Sequence, residues 1–185
     1  VLENVYKDGK VSEQRSPVGL GQTMITSASF NYQDGCTSVK DASGATTEYK
    51  IYENRIYKIT DPAGFQILES WFINEDTYFD ATLESIQPWS GFGAYPSSLK
   101  SVTDKRGLTT DYLYDDRGNI SQKVTSGEDL TGDSGHSFMQ MYQYNELNLC
   151  VEESFLDMRT LITYDKNLPF LPSSIEKYAQ DKLIS

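Results

Sequence analysis

Histidine occurs once in this chain, at His136, and cysteine only twice, at Cys36 and Cys150. That scarcity excludes a good deal of chemistry. A structural zinc site draws on about four Cys or His ligands, which the chain does not have in one cluster. Two cysteines 114 residues apart make no disulfide framework; they could still pair with each other, but unpaired thiols packed as small apolar residues are the preferred reading. Basic residues are also short: 16 Lys and Arg stand against 27 Asp and Glu, for a net charge of −11. A surface of that sign repels phosphate backbones and anionic lipid, so neither nucleic acid nor a membrane is an expected partner. No apolar run approaches a membrane span, and no stretch has the layout of a signal peptide. Glycine-rich phosphate loops and dinucleotide fingerprints are absent too, so no cofactor is expected. The chain starts at Val1 and is read here as a piece of a longer protein, or a processed one, with any export signal expected outside it.

Aromatic residues, by contrast, are plentiful, with 13 Tyr, 8 Phe and 2 Trp. Such a composition argues against disorder and, with Thr and punctuating Gly, for β structure. The clearest stretch is Ser101 to Lys123. It reads as strand, turn, strand, turn, strand, with turns at Asp104-Lys105-Arg106-Gly107 and Asp115-Asp116-Arg117-Gly118-Asn119. Asp suits the start of such a turn because its carboxylate accepts hydrogen bonds from backbone N–H groups just ahead. Gly suits its end because a positive φ costs it nothing.

The same punctuation recurs. Asp41-Ala42-Ser43-Gly44 and Asp61-Pro62-Ala63-Gly64 repeat the Asp-x-x-Gly of Asp104 and Gly107, each with Val or Ile two residues earlier. Gly44 to Tyr49 lines up with Gly107 to Tyr112; the next tyrosines, Tyr52 and Tyr114, are one position out of step. A second echo links Tyr95-Pro96-Ser97-Ser98-Leu99-Lys100 with Leu171-Pro172-Ser173-Ser174-Ile175-Glu176. Recurrences of this kind indicate diverged copies of one hairpin unit.

Val-Thr-Asp-x-x-Gly-x-Thr-Thr-x-Tyr-x-Tyr-Asp-x-x-Gly-Asn-Ile, from Val102 to Ile120, resembles the tyrosine–aspartate (YD) repeat of the Rhs family. That family includes bacterial Rhs toxins, the B and C components of Tc toxins, and the teneurins. The resemblance is closest over 38–58 and 101–123. It implies successive hairpins wound into a hollow β-shell around a toxic effector domain, with repeat-defining residues at Asp41, Gly44, Tyr49, Asp61, Gly64, Asp104, Gly107, Tyr112, Tyr114, Asp115, Gly118, Tyr144, Tyr164 and Asp165. The aspartate self-cleavage segment of Rhs proteins has its first half at Asp61-Pro62-Ala63-Gly64 and not its continuation, so proteolysis is not assigned.

Further hairpins are expected over 4–14, turning at Asp8-Gly9; over 27–39, turning at Gln33-Asp34-Gly35; over 46–60, turning near Glu53-Asn54-Arg55; over 138–155, turning at Asn145 to Asn148; and over 158–178. Ser16 to Gln22 reads as a loop, and 80–87 as a short helix or another strand. Pro88 to Pro96 reads as an aromatic-rich loop, and 126–137 as an exposed insertion. The expected fold is all-β: successive antiparallel hairpins in a curved, elongated sheet, forming a single domain over 1–185.

Three other signals are weaker. Gly132-Asp133-Ser134-Gly135-His136 has a protease-like look, but no separate segment supplies a histidine base, so a polar loop is the preferred reading. Gly127 to Gly135 loosely resembles one copy of a calcium-binding repeat, without EF-hand spacing, so no metal site is assigned. Glu75, Asp76, Asp80, Glu84, Asp115 and Asp116 could pair across a glycosidase cleft, yet in so acidic a chain they read first as solvated turn residues. Trp89, Phe92 and Tyr95 could stack on sugar rings; packing at the end of a β layer is the simpler account.

Two functions follow as expectations. The first is a non-catalytic wall segment of a secreted or surface protein, partnered by neighbouring repeats and an effector domain. The alternative is a module that binds carbohydrate or protein through Trp89, Phe92 and Tyr95. A glycoside hydrolase is a third class.

Overall fold

The structure, a computed structural model, describes residues 2–18, 23–128, 134–180 and 182–184. Among them every regular element is a β-strand. The chain is all-β and is built from successive antiparallel hairpins, as the turn chemistry predicts. Its contacts gather in two compact units, Val1–Leu68 and Glu69–Ser185, where the sequence suggests no boundary.

The first unit is a meander of β1 (Glu3–Lys7), β2 (Lys10–Val18), β3 (Thr23–Gln33), β4 (Cys36–Asp41), β5 (Thr46–Tyr52) and β6 (Arg55–Thr60), ending on the start of β7 (Gln66–Phe72). Each strand pairs antiparallel with the next. Tight turns fall at Asp8-Gly9, Asp34-Gly35 and Glu53-Asn54, as expected. Both Glu53 and Asn54 have positive φ, 46° and 63°, as a two-residue hairpin turn requires. The expected loop at Ser16 to Gln22 is corrected in part: Ser16, Pro17 and Val18 continue β2, in register with Ile25, Met24 and Thr23. Residues 19–22 lie outside the described residues.

The second unit continues through β8 (Thr77–Asp80), β9 (Ser85–Pro88), β10 (Leu99–Thr103), β11 (Thr109–Tyr114), β12 (Ile120–Glu128), β13 (Ser134–Tyr144), β14 (Cys150–Phe155), β15 (Met158–Tyr164), β16 (Pro172–Ala179) and β17 (Lys182–Leu183). Strand β10 also pairs back with β7. Of the two expectations for 80–87, the strand is correct: Asp80 caps the β8–β9 turn by accepting from the Thr82 and Leu83 N–H groups at 2.8 and 3.0 Å. The exposed insertion expected at 126–137 is corrected too. Ser126 pairs with Ser137 and Gly127 with His136 as a continuing ladder, and 129–133 lie outside the described residues. The echo between 95–100 and 171–176 extends to the backbone only in part: Leu99-Lys100 and Ile175-Glu176 both lie in strands, but the residues before them differ. Ser97 sits in a turn at φ 63°, whereas Ser173 is already within β16.

The buried interior is small. Trp71, Phe72, Phe79 and Ala81 of the second unit are buried, as is Tyr57 of the first. Adjacent Trp71 and Phe72 point to opposite faces of β7, so the strand is covered on both sides at that point. Trp71 stacks on its register partner Phe79 at 4.7 Å between ring centroids. Buried Ser70 spends its hydroxyl oxygen on the Ala81 N–H, at 3.0 Å. Elsewhere most strand residues of both units are only half-buried.

Candidate functional site

The residues singled out by the repeat converge on one recurring turn, which in three of its copies has a tyrosine in front of it. The Asp115 carboxylate accepts from the Arg117 and Asn119 N–H groups at 3.0 and 2.8 Å, while the Gly118 N–H donates to the Asp115 carbonyl at 3.1 Å. Asp104 repeats this with Arg106 and Leu108, Asp61 with Ala63 and Phe65, and Asp41 with Ser43 and Ala45. Asn145 makes the same pair of bonds, to Leu147 and Leu149, both 3.0 Å, with Asn148 at φ 59° in the glycine position. Asp165 opens a longer version, accepting from Asn167 and Leu168.

These bonds set the acidity of the carboxyl groups. The Ser43 hydroxyl, followed by backbone N–H groups, holds Asp41 below the usual carboxylate range. The Arg106 guanidinium does the same for Asp104. At Asp115 burial is the largest single influence and pushes upward, but the Asn119 side chain and the backbone donors together outweigh it and the net shift is downward.

Ahead of three of these turns stands a tyrosine at the last position of its strand. Tyr114 donates its hydroxyl to the Leu99 carbonyl at 2.7 Å, Tyr144 to Ile120 at 2.9 Å and Tyr164 to Cys150 at 2.9 Å. In each case the acceptor is the first residue of the preceding strand. Every one of these tyrosines follows a register shift, between Leu113 and Tyr114, Gln143 and Tyr144, and Thr163 and Tyr164. A bulge at that point re-aims the side chain from its alternation. Ile120 and Cys150 are in turn the register partners of Tyr114 and Tyr144, so each rung rests on the one before. Burial, the largest influence at both, raises the hydroxyl pKa of Tyr114 and Tyr144.

Neighbouring turns are also tied. The Arg117 guanidinium donates to the carbonyls of Asn145 at 2.6 Å and Tyr144 at 3.3 Å. Asn119 Nδ2 donates to Asp115 Oδ2 and Asn148 Oδ1, at 2.9 and 3.0 Å. Sequence reading named the Asp, Gly and Tyr positions and missed Arg117 and Asn119 as connectors. Tyr49 and Tyr112, also named from the repeat, lie mid-strand in β5 and β11.

Trp89 and Tyr95 are linked through the rings of Phe72 and Tyr114, which lie 6.5 Å apart. Trp89 packs edge-on to Phe72 at 5.4 Å and to Tyr78 at 6.1 Å. The Lys100 ammonium lies 5.4 Å from the Trp89 ring, 4.7 Å from Tyr78 and 3.3 Å from Asp111. Tyr95 is 6.3 Å from Tyr114 and lies against Gly118, where an added Cβ would come within 2.7 Å of its ring. Phe92 is 89% exposed.

Cys36 and Cys150 are free thiols, and burial pushes the Cys150 thiol pKa up. Among the described residues no three His, Cys, Asp or Glu converge as a metal centre requires, and no helix is long and apolar enough to cross a membrane. The protease-like stretch Gly132 to His136 lies, in whole or in its side chains, outside the described residues. No family model matches the chain, and a search of curated proteins finds no significant match.

Proposed function

We propose that this chain is a structural wall segment of a secreted or cell-surface Rhs/YD-repeat protein, one stretch of a β-shell that encloses an effector domain. Its role in that reading is mechanical: paired strands fence off a polypeptide, and the chain performs no catalysis. The observation that carries the reading is the threefold recurrence of one bonded unit at Tyr114-Asp115, Tyr144-Asn145 and Tyr164-Asp165, each tyrosine bonded to the start of the strand before it. A module that adds hairpins indefinitely by bonding each to its predecessor suits a wall better than a catalytic cleft. The small interior also supports it, because a lining needs a partner to cover what it leaves half-exposed.

The test is limited proteolysis of the parent protein. The effector region should resist cleavage while this segment is native, and deletion of 101–164 should expose it. Equal cleavage rates with and without the deletion would remove the enclosing role. The alternative, a carbohydrate- or protein-binding module, draws on the exposed Phe92 ring. Specific glycan-array binding lost in Phe92→Ala would favour it.

A further inference from the structure

Lys7 and Lys10 face each other directly across the first hairpin turn. Like charges opposite one another in an antiparallel pair destabilise it. In a chain with 27 acidic residues and 16 basic ones, an acidic partner at either position would have been easy to find. Among the described residues, neither lysine takes part in an ion pair. Both instead line a cleft of about 460 Å³ with Ser12, Phe30, Asn31 and Tyr32.

The cleft has a plain structural origin. Strands β2 and β3 are in register from Val18↔Thr23 to Glu13↔Ser29, and that register does not continue to Lys10–Ser12 and Phe30–Gln33. Beyond Ser29 strand β3 pairs with β4, while Lys10 and Val11 pair with β1. The side chains of both strands line the gap. Phe30 and Tyr32 lie nearly parallel, 6.4 Å apart with an interplanar angle of 12°, and the Lys10 ammonium is 4.9 Å from the centre of the Tyr32 ring.

From this arrangement we propose that the cleft between β2 and β3 binds an extended acidic peptide segment, whose carboxylates meet Lys7 and Lys10 while an adjoining apolar side chain lies on Phe30 and Tyr32. The proposal does not depend on the shell reading. Lysine supplies movable point charges that can follow the carboxylates of an extended segment. Asn31 both donates and accepts, as a peptide amide does in return. Asp8 also lines the cleft and can accept from a peptide N–H. A saccharide would call for several bidentate planar groups aimed at its hydroxyls, and the cleft offers fewer of them.

The experiment is a two-dimensional NMR titration of the ¹⁵N-labelled chain with a blocked hexapeptide, acetyl-Glu-Phe-Glu-Leu-Glu-Val-amide. Shifts should saturate with a Kd at or below about 1 mM and centre on Lys10, Ser12 and Tyr32. The version with Gln at each Glu position should bind at least ~10-fold more weakly, as should the Lys7→Ala/Lys10→Ala double variant. Salt raised from about 50 to about 500 mM should weaken binding. The double variant removes a repulsive pair and the Lys10–Tyr32 ring contact, two changes of opposite sign, so its melting temperature should stay within about 2–4 °C of the wild type, which separates lost binding from lost folding. Absence of saturable shifts, equal binding of the Gln peptide, unaltered affinity in the folded double variant, or tighter binding of trigalacturonate than of the peptide would each overturn the proposal.

Discussion

The Arg117 guanidinium reaches 28 residues along the chain to donate to the Asn145 carbonyl at 2.6 Å. One turn thereby holds the next, and the hairpins of the second unit are joined at their turns as well as along their strands. Such a bond involves few apolar atoms, so the sheet can be regular with little buried interior.

Gly118 and Gly64 share a positive φ, 83° and 88°, but not a neighbourhood. At Gly64 nothing lies within 4 Å of an added Cβ, whereas at Gly118 the Tyr95 ring does. Gly64→Ala should cost about 1 kcal/mol, from backbone strain alone. Gly118→Ala should cost about 1–3 kcal/mol more, since the ring and the loop that carries it must move. Urea denaturation of both variants checks the order.

Acid should weaken the turns before it affects the strands. Asp41, Asp104 and Asp115 have carboxyl pKa values below their ordinary one of 3.8. A depressed folded-state value means the stabilisation is fully present above the unfolded pKa, about 3.9, and is lost as pH falls from there through the folded values. The amide of Asn145 makes the same two bonds without titrating. The triple variant Asp41→Asn/Asp104→Asn/Asp115→Asn should therefore fold at neutral pH and lose less of its stability below pH ~4 than the wild type. Circular dichroism during acid titration reads both.

Phe72 of β7 and Phe92 of the aromatic loop should differ sharply in their energetics. Phe72, with none of its surface exposed, should cost about 3–5 kcal/mol on change to Ala. Phe92, which is 89% exposed, should cost less than about 0.5 kcal/mol. Equal losses in a denaturant series would mean the loop packs differently.

Much of the hairpin pattern was legible because turn chemistry is local. Asp8-Gly9, Asp34-Gly35 and the Asp-x-x-Gly turns announce themselves through residues that few other settings favour. Even the slip between Tyr52 and Tyr114 has a local cause. Tyr52 precedes a two-residue turn at Glu53-Asn54, and Tyr114 a wider one at Asp115. What stayed hidden is non-local. The hydroxyl partners of Tyr114, Tyr144 and Tyr164 depend on bulges and register, which a period of two does not disclose. Arg117 looked like any exposed turn residue, since its acceptors lie in the following turn. Ser16–Val18 and Ser126–Glu128 looked like loops from their Pro, Gly and Ser content, yet pairing with the neighbouring strand extends them.

The central claim is that Tyr114, Tyr144 and Tyr164, each directly before a turn, bond their strands to the start of the preceding one, and thermal unfolding of a Tyr→Phe series tests it most directly. Tyr114→Phe, Tyr144→Phe and Tyr164→Phe each remove one hydroxyl bond and keep the ring. Each should cost about 1 kcal/mol, a fall of about 2–4 °C in Tm. Tyr112→Phe and Tyr142→Phe, two residues earlier and without a hydroxyl bond among the described residues, should leave Tm within about 1 °C. A series in which all five variants melt together would contradict the account.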